Sequence, residues 1–136
     1  MIVRRVLVDS NVILDVFTRD PTWLSWSSSA LARVSETDAL VVNPLIYGEV
    51  SVRFDRLEAL DEALPATVFR RDPLPWAAGF LAGKVFAEYR RHGGGRQTPL
   101  SDFYIGAHAS IAGMRLLTRD PSPYRTYFPR LSLITP

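Results

Sequence analysis

Apolar residues along this chain fall into short unbroken runs, separated by stretches where they recur every three or four positions. The runs at residues 3–8, 39–43 and 115–118 are rich in valine and leucine, as buried strands are. Two weaker runs, residues 66–70 and 131–134, read as short strands. Between them the helical period dominates. Residues 12–18 form a short helical segment closed by Asp20-Pro21. Residues 22–36 read as a helix capped by Thr22 or started at Pro21. Pro44 starts a helix running to about Phe54, residues 55–64 continue as another, and Pro65 stops it. Residues 76–91 form a long amphipathic helix. Ser101 is expected to cap the next one, which Gly113 ends.

Strands alternating with helices imply an α/β fold, with a parallel sheet built from right-handed crossovers. In such sheets the functional crevice lies outside the carboxyl ends of the strands. With 136 residues, 47% of them hydrophobic, the chain suits one domain, residues 1–136, with a real core. It has no cysteine, hence no disulfide and no thiolate metal site. No run is long enough for a membrane span, and the first ends at Asp9, too soon for a signal peptide. A cytoplasmic protein without a membrane partner is expected.

Candidate chemistry rests on four acids. Asp9 follows the first strand and Asp120 the fourth, while Asp102 falls in the first turn of a helix. All three can approach one edge of the sheet. Glu49 projects between Leu45 and Ile46, on the arc of its helix that should face the core. Each has an ordinary explanation: an ion pair for Glu49, a favourable helix dipole for Asp102, and turns for Asp9 and Asp120. Four such accidents at one edge are a heavier demand. Two carboxylates about 5 Å apart repel by roughly 3 kcal/mol at an effective dielectric of ~20. A group of them needs protonation or a divalent cation. Oxygen ligands without histidine or cysteine favour Mg2+ or Mn2+ over zinc.

Charge adds a little. The net charge is +2, and 15 of the 16 basic residues are arginine, with Lys84 the one lysine. Were four of the 14 acids committed to a cation, 16 basic residues would face ten acids, a surplus that suits a polyanion.

These segments resemble the PIN-domain family, and more narrowly its VapC-type toxin ribonucleases. Residues 8–14 (VDSNVIL) are similar to the family's opening motif, and residues 43–49 (NPLIYGE) to the segment carrying its glutamate. Residues 100–109 (LSDFYIGAHA) and 116–120 (LLTRD) resemble its third and fourth motifs, and the tail from residue 124 its usual ending. The resemblance implies a three-layer α/β/α sandwich around a mostly parallel sheet of four or five strands. It implies a metal-dependent endoribonuclease, the toxin of a toxin–antitoxin pair, with Mg2+ or Mn2+ held by Asp9, Glu49, Asp102 and Asp120. Thr118 matches a serine or threonine that orients a water or carboxylate, and Asn11 a supporting position. The implied partners are RNA, tRNA among the candidates, a VapB-like antitoxin and a second copy in a homodimer. The alternative is a catalytically silent PIN-like module that binds RNA or protein.

Other features weigh less. Arg119 could touch phosphate or end a strand in solvent. Arg90, Arg91 and Arg96 flank a glycine loop and could guide RNA or cap a solvated helix end. His92-Gly93-Gly94-Gly95 mimics an esterase loop, but no G-x-S-x-G turn accompanies it. Lys84 lacks the glycines of a phosphate-binding loop. A phosphotransferase using Asp9 as nucleophile would need an acid at position 11, which is asparagine. His108 reads as structural or surface. Trp23, Trp26, Ala30 and Val34 form a stripe that is either core or a groove for a partner.

Overall fold

The computed structural model describes residues 4–93 and 98–136. Five strands make one sheet: β1 (Arg5–Val8), β2 (Ala39–Val42), β3 (Phe69–Arg71), β4 (Arg115–Leu117) and β5 (Leu133–Ile134). Among the described residues seven helices connect them: α1 (Ser10–Phe17), α2 (Leu24–Ser35), α3 (Pro44–Ser51), α4 (Leu57–Ala63), α5 (Trp76–Arg91), α6 (Leu100–Ala112) and α7 (Ser122–Tyr127). The sheet order is β3-β2-β1-β4-β5, and every pair is parallel. This is the three-layer fold with a parallel sheet of four or five strands that the sequence pattern and the resemblance lead one to expect.

The order dictates where a site can form. From β1 the chain winds through β2 to β3, then returns to the other side of β1 and winds outward through β4 to β5. Right-handed crossovers send α1 to α4 across one face and α5 to α7 across the other, giving the three-layer sandwich. The winding reverses between β1 and β4, and a crevice opens there at the carboxyl edge. Val6, Leu7, Val8, Val41, Leu116 and Leu117 are fully buried in the three central strands. These two-faced buried strands are the valine- and leucine-rich runs of the sequence.

Several boundaries differ from the sequence pattern, each for a local reason. The third strand starts at Phe69 because the carbonyl of Pro65 accepts from Val68 and Phe69 and holds the chain in a turn. α2 is capped neither by Thr22 nor by Pro21. Asp20 Oδ1 accepts from the amides of Thr22 and Trp23, both at 2.9 Å. Ser101 lies inside α6 rather than at its cap, which is Pro99. α7 was legible only as loop, since Pro121, Ser122 and Pro123 read as turn residues. Val3, Gly94, Gly95 and Arg96 lie outside the described residues. No helix among the described residues is long and apolar enough to cross a membrane.

α6 needs glycine where it meets the residue closing α7. A Cβ on Gly106 would stand 2.5 Å from the ring of buried Phe128. Gly113, which ends α6, has φ +68°, a conformation glycine adopts without steric cost. Gly106→Ala should therefore lose about 1–3 kcal/mol to overpacking. Gly79→Ala on α5 meets Tyr104 at an ordinary 3.5 Å and should gain up to about 1 kcal/mol. Paired thermal and urea denaturation of both variants checks this contrast.

Candidate active site

β1 and β4 deliver their carboxyl ends side by side, with the Asp9 amide donating to the Leu117 carbonyl at 2.9 Å. Asp9 thus sits at the switch point and caps α1, its Oδ1 accepting from Ser10 N at 2.8 Å. Its other oxygen accepts from Thr118 Oγ1 (2.9 Å), Tyr124 OH (3.0 Å) and, at 3.5 Å, Asn11 Nδ2. Burial pushes the Asp9 carboxyl up to about 6, although the Thr118 and Tyr124 hydroxyls pull the other way. The buried Tyr124 hydroxyl is pushed well above its ordinary value, first by burial and then by Asp9, so it remains a donor.

Glu49 stands half-buried on α3, and no arginine pairs with it among the described residues. Two hydroxyls fix it: Ser10 donates to Oε1 at 3.0 Å and Ser101 to Oε2 at 3.2 Å. Three elements therefore converge on one carboxylate. A second link ties α3 to α6. Asn43 caps α3 through Ile46 N (2.9 Å) and donates to Nδ1 of buried His108 at 3.0 Å. That bond makes Nδ1 the acceptor, and burial holds the ring below its usual pKa. His108 is thus a neutral structural histidine, inside rather than at the surface.

Asp102 differs from the other two. It accepts no hydrogen bond and forms no ion pair among the described residues. Its carboxyl is raised to about 7, first by burial and then by the charges of Asp9, Glu49 and Asp120. The four expected acids are therefore electrostatic neighbours. They do not form a closed cage, since among the described residues no three acidic or histidine side chains stand ready-made around an ion. Asp120 is exposed on the loop after β4. Its amide donates to Thr118 Oγ1 at 3.1 Å. Asn11 bridges Thr118 Oγ1 (3.2 Å) and the amide of Arg119 (3.3 Å).

A family model described as PIN domain matches residues 6–129. The chain belongs to the PIN domain family. None of the curated protein sequences compared with it is a match. Solved structures share the fold at low identity. VapBC2 from Rickettsia felis, bound to a DNA fragment from its promoter, has a TM-score of 0.75 at 14% identity, covering 96% of this chain and 98% of that one. VapBC-1 from nontypeable Haemophilus influenzae has a TM-score of 0.72 at 19% identity, covering 96% and 97%. VapC20 from Mycobacterium tuberculosis, a sarcin–ricin loop cleaving toxin, has a TM-score of 0.56 at 15% identity, covering 81% and 85%.

In this PIN domain the expected residues and their supports separate by accessibility. Asn11 and Thr118 both donate to the same oxygen of Asp9. Arg119 does not lie free in solvent: its Nε donates to both oxygens of buried Asp15, at 3.0 and 2.8 Å. Trp23 lies beneath its guanidinium, 5.6 Å from ring centroid to Cζ, while Ala30 and Val34 are core. Sequence reasoning missed Ser10, Ser101 and Tyr124. The two serines adjoin motif acids and so were findable. Tyr124 lies in α7, where the sequence pattern shows no helix, and gave no signal.

The raised carboxyls make the cation-free fold pH-sensitive in a stated direction. In the unfolded chain these aspartates ionise near 3.8, in the fold at about 6 and about 7. Between those values the folded state holds protons that the unfolded state has released, so stability falls as pH rises. Without divalent ions the Tm should fall by several degrees between about pH 5 and pH 8. Asp102→Asn should flatten that slope and raise the Tm at the alkaline end. Asp9→Asn should remove a smaller share of the slope but lower the Tm, because four donors hold that carboxylate.

Proposed function

We propose that this single PIN domain, residues 1–136, is a divalent-metal-dependent endoribonuclease and the toxin of a toxin–antitoxin pair. The carrying observation is Asp102: a carboxylate with no donor among the described residues, raised by the charges of three other acids near the switch point of the sheet. Burying an anion in anionic company is unfavourable until a cation arrives. The donor set is all oxygen, which suits Mg2+ or Mn2+. Asp9, Asp102 and Asp120 would hold the ion, with Glu49 beside them. When bound, such an ion supplies positive charge against a phosphodiester and lowers the pKa of water.

The chain's own groups divide the remaining work. Ser10 and Ser101 aim Glu49, leaving it able to accept a proton from an attacking water. The water oxygen bonds to phosphorus and the bond to the 3′ oxygen breaks. That oxygen takes a proton from solvent, leaving a 5′-phosphate and a 3′-hydroxyl. Thr118 and Tyr124 keep Asp9 oriented throughout. No protein nucleophile is needed.

RNA, with tRNA among the candidates, is the proposed substrate, and Arg90 and Arg91 at the end of α5 are exposed to meet its backbone. A VapB-like antitoxin and a second copy of the chain are the proposed protein partners, in a cytoplasmic setting. Trp76 is 97% exposed and Phe80 70% on α5, an apolar surface that a protein contact would remove from water.

The test combines binding with cleavage. Mn2+ should raise the Tm of the wild type at pH 7.5, and total RNA should be cut to fragments ending in 5′-phosphate. Asp102→Asn should abolish both effects while folding normally. RNA binding without cleavage, at any Mg2+ or Mn2+ concentration, would instead identify the silent module.

A further inference from the structure

Asp120 is the exposed acid of the group, and it sits on a short loop beyond a three-residue strand. Its neighbour is held unusually well. Asn11 and Asp15 stand four residues apart on α1 and so share a face of that helix. Asn11 Oδ1 takes the backbone amide of Arg119 at 3.3 Å, and Asp15 takes its side chain through two contacts to Nε. One face of α1 thus grips one residue at both backbone and side chain. Ser27 of α2 donates to Asp15 at 2.7 Å, and Trp23 covers the guanidinium from the same side.

Asp15 is 2% exposed, so its charge carries a desolvation cost that Ser27 and Arg119 must offset. A hydrophobic pair of similar volume would serve stability as well or better. What an apolar pair cannot supply is the Nε N–H, fixed in the guanidinium plane, which sets direction as well as distance. Arg119 lies between Thr118, which holds Asp9, and Asp120. Its orientation therefore sets where the Asp120 side chain stands relative to Asp9.

We propose that Arg119, clamped by Asn11 and Asp15, is a positioning residue: it fixes the 118–120 loop so that Asp120 faces the ion shared with Asp9. This rests on the metal-site reading above. Arg119 acts through the loop and does not itself touch RNA.

The experiment uses the full chain and the variants Arg119→Lys and Asp15→Asn. Lysine keeps the charge but loses the in-plane Nε N–H that meets Asp15. It reads the Mn2+ dissociation constant by calorimetry, kcat and KM for RNA cleavage, and amide hydrogen exchange at residues 118–120 without metal. Arg119→Lys should weaken Mn2+ about tenfold, the scale of losses when a ligand's support is removed. It should lower kcat, leave KM unchanged, and speed exchange at 118–120 alone. Asp15→Asn should do the same more strongly. A fall in metal-free Tm with unchanged Mn2+ affinity, kcat and exchange would reduce the clamp to a structural ion pair and overturn the proposal. A raised KM with unchanged Mn2+ affinity would make Arg119 an RNA contact, and overturn it likewise. If the wild type neither binds Mn2+ nor cuts RNA, the metal-site reading fails and takes the role of Asp120 with it. Exchange at 118–120 would then still show separately whether the clamp holds the loop.

Discussion

An anion half-withdrawn from water, with no donor and three other anions for neighbours, is a standing cost to a fold. Asp102 is that anion. Its three companions each have another reason to be where they are. Asp9 caps a helix, Glu49 is held by two serines, and Asp120 stands in solvent. Removing the Asp102 charge would relieve repulsion and break no described bond. Under the proposed function that charge would serve a divalent cation, which is what would offset the repulsion.

The sheet makes the arrangement possible. Because the winding reverses between β1 and β4, the two strand ends that carry Asp9 and the 118–120 loop are neighbours at the crevice. α3 and α6 then bring Glu49 and Asp102 from opposite layers. The Asn43–His108 and Ser101–Glu49 bonds fix how those two helices meet. The same residues therefore serve fold and site together, which is why their loss should affect both.

Much of this was legible in the chain. Buried central strands announce themselves as unbroken valine and leucine, and Asp9, Glu49, Asp102 and Asp120 stood out as acids with no local partner. What stayed hidden depends on tertiary contact. Tyr124 reaches Asp9 across 115 residues of sequence, from a helix whose prolines and serine imitate a turn. Asp15 reads as the polar face of a short helix until its partner, Arg119, arrives from across the sheet. α2 starts at Leu24, with Trp23 as its cap, rather than at Thr22 or Pro21, because Asp20 holds Thr22 and Trp23 in a turn before the helix.

Manganese anomalous diffraction from crystals soaked at neutral pH tests the central claim most directly. The account expects a strong peak at bonding distance from carboxylate oxygens of Asp9 and Asp102, lost in Asp102→Asn crystals. An ordered Asp102 carboxylate with no anomalous peak beside it, or one paired with an arginine, would contradict the account.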